Sequence, residues 1–363
     1  MSFNCERSTG MGSLDYWQGV SSKVTRQRIP FVGSMALTHR CNLRCVHCYA
    51  RGDSRESPET ELSTGQWIRI VSEVKEAGCL YLLLTGGEPL LRPDFPEIYS
   101  HAKKNGFLVT VFTNGTLVSE AAIELFRELP PRLVEISLYG ATAGTHDRVT
   151  GIPGSFAAAR KAIETLIGFG ITVGLKTVLL TLNEDELLDM EALARSYGVN
   201  FRLDAAVFPS LAGDKAPLEL RVPAEKAVAL EMANPARERE WREFLEKFHE
   251  APGSESLYIC GAGVSMFHID PCGCLSPCLM VRKTKYPLWR GSFREGWDRG
   301  FSDFRGEALT SNAPCRGCRQ KLACGYCPGF FEQENGDERI PSEYLCSIGR
   351  HRFGKILPIS PGG

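Results

Sequence analysis

The sequence predicts an α/β protein, in which a partial (β/α)6 barrel precedes a small, loop-rich, cysteine-rich domain. Between residues 34 and 207, six short apolar runs alternate with amphipathic helical runs, a pattern typical of βαβ units and a parallel sheet. Polar or glycine-containing groups follow several of these apolar runs. Nine of the 14 cysteines lie between residues 251 and 363. Because that region has little apolar core, we expect metal ligands to organise it.

Each predicted strand is a short run rich in Val, Ile and Leu, which fits a sheet covered by helices. In chain order the strands are MALTHR, CLYLLLTG, FLVTVFTNG, LVEISLYG, ITVGLKTVLL and NFRLDAAV, and the helical runs include LSTGQWIRIVSEVKEAG and SFAAARKAIETLIGFG. Six units are too few for a closed eightfold barrel and fit a partial, TIM-like one. Because βα barrels build their active sites at the C-terminal ends of the strands, we expect the site there.

Changes in composition divide the chain into four parts. Residues 1–33 show weak periodicity and are expected to form an N-terminal arm, and residues 34–207 are the predicted barrel. Residues 208–250 run from a loop with Pro and Gly into charged helical segments, which is typical of a linker. Residues 251–363 are the predicted cysteine-rich domain.

Charge and hydropathy exclude several classes of function. The net charge of −1 provides no field that would attract nucleic acid, and no run reaches the roughly 18 apolar residues of a membrane helix. The N-terminus has no apolar signal core, so we expect a cytoplasmic protein. Because cytosolic thiols stay reduced, the clustered cysteines indicate metal ligation. The alternative is a set of disulfides in a secreted protein.

Three cysteines follow the first predicted strand on one short loop, with the spacing C-x3-C-x2-C: Cys41, Cys45 and Cys48. Each thiolate can ligate one iron of a [4Fe–4S] cubane, and the fourth iron then lacks a protein thiolate. A catalytic metal centre needs such an open position for its substrate. Zinc is the alternative, with His47 as a fourth ligand.

The loop resembles that of the radical S-adenosylmethionine (SAM) superfamily, which reads C-x3-C-x-aromatic-C, and His47 stands at the aromatic position. The resemblance covers residues 34–207. It implies that His47 packs near the adenine of SAM and that Ser137 contacts the ribose or the carboxylate. Two segments match that family on successive strands: Gly86-Gly87-Glu88-Pro89, which binds the methionyl amino group in relatives, and Thr113-Asn114-Gly115, which adds Asn114 to the SAM-binding residues.

The resemblance also implies the chemistry. An electron enters the cluster, SAM is cleaved reductively, and a 5′-deoxyadenosyl radical takes a hydrogen atom from an unactivated C–H bond of the substrate. The electron would come from a flavodoxin or a ferredoxin-type reductant. Lys176 and Arg202, on the fifth and sixth strands, either face the barrel interior and bind carboxylates or are surface charges.

The C-terminal cysteines resemble the SPASM domain, which carries two auxiliary [4Fe–4S] clusters. The match has one residue fewer between Cys324 and Cys327 than the SPASM pattern. The resemblance implies an outer cluster held by Cys315, Cys318, Cys324 and Cys346, and an inner cluster held by Cys260, Cys278 and Cys327. The fourth inner ligand stays open between Cys272, Cys274 and a vacant iron. Zinc bound by the cysteines at 315–327 is the alternative.

Leu279 limits the choice of substrate, because sulfatase-maturing relatives carry a catalytic Asp directly after the cysteine that matches Cys278. Formylglycine formation is therefore disfavoured. FHIDPCGCLSPCLM and GYCPG look more like the branch that contains the pyrroloquinoline quinone biosynthetic enzyme. The first hypothesis is thus a maturase that cross-links or oxidises a ribosomally made precursor peptide.

About 40 residues precede the cysteine triad, too few for a fused peptide-binding winged-helix domain, so we expect a separate peptide-binding chaperone. Two alternatives stay open. One is a small-molecule or tetrapyrrole enzyme of the haem-pathway type, and the other is a non-catalytic zinc or iron–sulfur scaffold.

Overall fold

The computed structural model describes residues 13–50, 61–248 and 255–356. Residues 1–12 of the predicted arm lie outside the described residues, as do the end of the predicted linker and both ends of the predicted cysteine-rich domain. Among the described residues, we find no helix whose length and hydropathy would carry it across a bilayer.

Within the described residues, one sheet has nine strands in the order β6-β5-β4-β3-β2-β1-β7-β8-β9. The strands are β1 (Val32–Ala36), β2 (Tyr81–Thr85), β3 (Leu108–Thr113), β4 (Leu133–Ser137), β5 (Val173–Val178), β6 (Asn200–Asp204), β7 (Met266–Ile269), β8 (Cys274–Ser276) and β9 (Tyr286–Pro287). Strands β1 to β6 are parallel and lie side by side in chain order. The predicted partial barrel of six βα units is therefore confirmed.

Helices α2 to α7 connect the strands of the barrel. The helices are α1 (Ser13–Gln27), α2 (Thr64–Glu76), α3 (Phe95–Lys104), α4 (Glu120–Glu128), α5 (Ala143–Thr150), α6 (Ser155–Gly168), α7 (Leu187–Ser196), α8 (Ala224–Glu231), α9 (Pro235–Phe248), α10 (Phe293–Asp298), α11 (Ser302–Gly306), α12 (Pro328–Asn335) and α13 (Glu343–Ile356). In α2, Ser63 and Gln66 form a reciprocal capping box. The helix buries one stripe at helical spacing, Trp67, Ile70, Val71 and Val74.

Residues of the barrel strands alternate between two faces, as strand geometry requires. One face packs in the apolar core and is at most 1% exposed at Met35, Leu84, Val111, Ile136 and Leu175. The other face lines a cavity with Thr85, Phe112, Ser137, Lys176 and Arg202. The alternation therefore puts the polar residues of the strands inside the barrel.

The cysteine-rich region continues the barrel sheet, which the sequence analysis did not predict. Strand β7 pairs in parallel with β1, and β8 and β9 follow in antiparallel pairing. Trp297 of α10 donates its indole N–H to the carbonyl of Arg28 at 2.8 Å and packs against Phe267 of β7. Helix α13 packs on α8, where Arg352 Nε lies 2.7 Å from Glu231 Oε2.

Candidate active site

A cavity of about 660 Å³ lies at the C-terminal ends of β1 to β6. Its wall contains nearly all of the site residues predicted for the barrel: Cys41, Cys45, His47, Cys48, Gly86, Gly87, Asn114 and Ser137. Residues from all six barrel strands or from the loops after them reach this wall. The structure therefore brings the predicted barrel site together in one place.

The cysteine loop is held in place by backbone contacts with the end of α5. Arg44 N–H donates to Thr150 O at 2.8 Å, and Val46 N–H donates to Val149 O at 3.0 Å. Asn114 adds a side-chain contact from the third strand, since its amide donates to Asn42 Oδ1 at 2.9 Å. These bonds fix the loop without using the thiols.

The donor set fits a cluster with one open iron. Cys41, Cys45 and Cys48 are the cysteines among the residues that line the cavity. In the described part of the chain, no three His, Cys, Asp or Glu side chains surround a point where one metal ion would bind. A cubane takes one thiolate on each of its irons and so needs sulfur atoms farther apart than a single ion does. That Cys41, Cys45 and Cys48 would hold the cluster stays a prediction.

His47 lies on the cavity wall against Tyr139, with ring centroids 4.6 Å apart in an edge-on contact. Burial lowers the pKa of His47 to about 4, so the imidazole is neutral at pH 7. Its Nδ1 atom is buried and has no hydrogen-bond partner within the described residues. A flat neutral ring at this place agrees with a role beside the adenine of SAM, which stays a prediction.

Gly86 and Gly87 bring the end of β2 against the chain that enters the cysteine loop. Gly87 N–H donates to Thr38 O at 2.7 Å, and Glu88 N–H donates to Arg40 O at 2.9 Å. A Cβ atom on Gly86 would lie 2.6 Å from Thr38 O, and one on Gly87 would collide with Arg40 O. Only glycine allows this approach, which leaves backbone groups accessible at the cavity wall.

Glu88 is wholly buried and lies behind the cavity wall. Its carboxylate accepts from Thr113 Oγ1 at 2.8 Å, Asn114 N at 2.7 Å and Leu90 N at 3.1 Å. Burial raises the pKa of Glu88 to about 7, against the opposing effect of these hydrogen bonds. The carboxylate therefore orients the end of β3, and a direct contact between Glu88 and SAM stays a prediction.

The opposite wall carries charged groups from β4, β5 and β6. Lys176 and Arg202 both line the cavity, which decides between the two readings of these residues. Lys176 Nζ lies 3.3 Å from the centroid of the Phe112 ring and 4.0 Å from Glu135 Oε2. Arg202 holds the buried Glu135 with two bonds of 3.1 and 2.6 Å. Burial lowers the pKa of Lys176 to about 7.

The sequence analysis did not identify Glu135 as a residue of the site, although its position in an apolar run was an indication. An acidic residue in the middle of the apolar run LVEISLYG is costly to bury unless a cation pairs with it. Its partner Arg202 comes from β6, 67 residues away. The register of β4, β5 and β6 brings Glu135 and Arg202 together.

The C-terminal cysteines gather into the two predicted sets. Burial, together with the neighbouring Cys346, Cys318 and Cys315, raises the pKa of the Cys324 thiol to about 12. In the second set, burial raises the pKa of Cys278 to about 12, with Cys327 and Cys260 as neighbours. Cys324 and Cys327 both line a second cavity of about 290 Å³. The two predicted cluster sites therefore adjoin each other.

Cys272 and Cys274 lie in the turn between β7 and β8 and at the start of β8. Cys272 Sγ is 3.8 Å from His39 Nε2, on the barrel side of this turn. Leu279, which directly follows Cys278, lines the main cavity and offers no basic group there. The fourth ligand of the inner set stays a prediction with its alternatives open.

Comparison with known proteins agrees with this geometry. Residues 35–194 match the family described as the radical SAM superfamily. The chain is 35% identical to the mycofactocin maturase MftC of Mycobacterium ulcerans over 85% of this chain and 82% of that protein. It is 28% identical to the AdoMet-dependent heme synthase of Methanosarcina barkeri, over 83% and 92% of the two chains.

Among solved structures, SuiB of Streptococcus suis bound to its precursor peptide SuiA matches with a TM-score of 0.69. The match covers 95% of this chain and 84% of that chain at 17% identity, so it shows a shared fold. Enzymes of this superfamily use SAM and a [4Fe–4S] cluster. The sequence family, the fold and the three-cysteine cavity agree, and this chain belongs to the radical SAM superfamily as an enzyme with a cysteine-rich, SPASM-type C-terminal region.

Proposed function

We propose that this enzyme oxidises or cross-links residues of a ribosomally made precursor peptide. The observation that carries the chemistry is the set of three cysteines beside Gly86 and Gly87 at the barrel mouth. The likeness to a maturase over most of both chains, and to a fold solved with a precursor peptide, supports the peptide substrate. When bound, the cluster and SAM supply a 5′-deoxyadenosyl radical that abstracts hydrogen from the substrate.

In this proposal the protein binds the cluster and SAM, orients the reacting residue of the substrate and encloses the site. Cys41, Cys45 and Cys48 hold the cluster, and the backbone at Gly86 and Gly87 receives the methionyl end of SAM. A cavity of about 660 Å³ is within the usual range of small-molecule sites, so it suits SAM and one reacting residue rather than a folded substrate. The target C–H bond must therefore enter on an extended or looped segment.

The remaining partners are part of the proposal. A separate peptide-binding chaperone would deliver the precursor, and a flavodoxin or ferredoxin-type protein would supply the electron. The two sets of C-terminal cysteines would each hold an auxiliary [4Fe–4S] cluster, since the thiols of each set lie close enough to act on one another electrostatically. Such thiols ionise when a metal binds them.

A second candidate is a tetrapyrrole or other small molecule that carries carboxylates. Lys176 and Arg202 on the cavity wall favour it, because cations bind carboxylates through charge-assisted hydrogen bonds. The likeness to a heme synthase over most of both chains supports it too. Anaerobic turnover of an iron porphyrin, with no peptide retained from native cells, would favour this candidate over the first.

The central test is reductive SAM cleavage by anaerobically reconstituted protein with dithionite. The protein should bind about 12 iron per chain if three cubanes form and should release 5′-deoxyadenosine. Replacing Cys41, Cys45 and Cys48 by Ala should abolish this release and leave about 8 iron. Cys79→Ala is the matched control, since Cys79 is buried outside both sets and should not affect cleavage. Cleavage that survives the triple replacement refutes the assignment.

A pull-down from native cells under anaerobic conditions tests the substrate. Mass spectrometry should find a short peptide together with a peptide-binding protein. If the enzyme retains neither the peptide nor the peptide-binding protein and turns over a porphyrin, the peptide proposal is overturned. The proposed SAM chemistry would still hold.

A further inference from the structure

Lys321 has an unusual environment within the four-cysteine set Cys315, Cys318, Cys324 and Cys346. The residue is only 8% exposed, and its Nζ is buried without a hydrogen-bond partner among the described residues. Its one ring contact is with Tyr326, whose centroid lies 4.2 Å from Nζ. A buried ammonium without an anion or an acceptor costs several kcal/mol, so this position needs a negatively charged neighbour.

The anions near Lys321 are the cysteines themselves. The backbone of Lys321 contacts two of them, since Cys324 Sγ donates to Lys321 O at 3.3 Å and Lys321 N–H donates to Cys318 O at 3.3 Å. Burial lowers the pKa of the Lys321 ammonium group, and Cys315, Cys324 and Cys318 each oppose that effect. Four thiolates around an oxidised [4Fe–4S] core give a net charge of roughly −2, and uptake of one electron makes it roughly −3. A fixed cation nearby stabilises the second state more than the first, which raises the reduction potential.

Other charges near this set oppose each other. Arg350 attracts the Cys346 thiolate, and Glu343 repels it. Lys321 therefore supplies the uncompensated charge among these neighbours.

The surroundings of the inner set Cys260, Cys278 and Cys327 carry charges of both signs. Tyr258, which lies near Cys278, also faces Glu338, Glu332 and Glu307. Tyr258 donates to Glu338 Oε2 at 3.3 Å. Three cations face these carboxylates, since Lys283 lies 3.7 Å from Glu338 and 3.9 Å from Glu332, Arg339 lies 2.9 Å from Glu338, and Arg282 acts electrostatically on Glu332.

We propose that Lys321 tunes the outer cluster: it holds a positive charge against the four-thiolate site and so raises the reduction potential of that cluster. This inference rests on the auxiliary clusters of the proposed function. Each reduction adds one electron to one cluster and moves no atoms, so the order of the two potentials decides which cluster is reduced first.

The test is a potentiometric titration followed by EPR, with dithionite as the electron donor, of protein in which Cys41, Cys45 and Cys48 are replaced by Ala. Lys321→Met should lower one of the two midpoint potentials and leave the other in place. We expect a change of roughly three- to tenfold in the reduction equilibrium, where tenfold is about 59 mV for one electron. Lys321→Arg should restore the potential, and Lys161→Met, which removes an exposed lysine of α6, should leave both unchanged.

The iron content distinguishes a failure of the auxiliary-cluster assignment from a failure of the role proposed for Lys321. About 8 iron per chain is expected in this background, and a count near zero overturns the auxiliary clusters themselves. A count near 8 with both potentials unchanged by Lys321→Met overturns the role of Lys321 alone, as does a shift that Lys321→Arg fails to reverse. If Lys321→Met loses iron, the neutral Lys321→Gln variant provides the same measurement.

Discussion

The charged residues of the cavity wall show how much the sequence reveals about the orientation of a single side chain. Lys176 and Arg202 are recognisable in the sequence as cations on strands, but the sequence leaves open which way they face. Both line the cavity, and Glu135 of β4 pairs with both of them across β5 and β6. That pairing depends on strand register, and no local pattern in the sequence records register.

Lys176→Met should change stability in a pH-dependent way. Burial lowers the pKa of Lys176 to about 7, against an ordinary value of 10.5, so the unfolded chain binds more protons between these two values. The burial penalty is complete below pH 7 and disappears as the pH rises towards 10.5. The variant should therefore be more stable than the wild type at pH 6, and the difference should vanish near pH 10.5.

Denaturant unfolding of reconstituted protein under anaerobic conditions measures this difference. About 1.4 kcal/mol per pKa unit is an upper bound, since the variant also loses the contacts with Glu135 and Phe112. Lys161→Met, which removes an exposed lysine, should show no pH-dependent difference. If the stability advantage of Lys176→Met over the wild type grew with pH, the assigned burial of Lys176 would be contradicted.

At the scale of elements, the six barrel strands could be predicted because each is a distinct apolar run bounded by turn residues. Strand β7 could not be predicted in the same way. It spans only four residues, Met266–Ile269, in a region rich in loops, and its partner β1 lies more than 200 residues earlier. The GGE segment was predictable from its motif, whereas the direction of the Glu88 side chain needed the position of β3.

Gly87→Ala should disrupt the junction between β2 and the cysteine loop. The added methyl group would collide with Arg40 O, a backbone atom that cannot rotate away. Overpacking of this kind costs about 1–3 kcal/mol, and the loop with Cys41 must shift to relieve it. We expect weaker SAM binding in equilibrium dialysis and a lower free energy of unfolding.

Gly65→Ala is the matched control, because nothing lies within 4 Å of a Cβ atom at this position of α2. It should leave SAM binding unchanged and stabilise the protein by about 0.5–1 kcal/mol. Equal effects of the two alanines would show that the GGE junction tolerates a side chain.

At the scale of the whole molecule, the barrel and the cysteine-rich region share one sheet and one apolar core. Phe267 of β7 lies against Gly33 of β1, where a Cβ atom would come within 3.0 Å of the Phe267 ring. Phe293, Trp297 and Phe301 continue this packing beside α2 and the end of α1. We therefore expect the two regions to unfold together.

Trp297→Ala should lower the free energy of unfolding of the whole protein by about 3–5 kcal/mol, the usual cost of emptying a large aromatic site. Trp297 is 1% exposed, whereas Trp289 is 58% exposed, so Trp289→Ala is the matched control and should cost little. Far-UV circular dichroism and iron absorbance should report the same denaturant midpoint. Two separate midpoints would contradict a shared core.

The pairing of β7 with β1 has a consequence for synthesis on the ribosome. The first barrel strand emerges early, but one of its two edges stays uncovered until Ile269 and the residues around it have been translated. An open strand edge can pair with another chain and cause aggregation. During translation, domains usually fold from the N-terminus onwards. We therefore expect a nascent chain that ends before β7 to aggregate more readily than one that includes it.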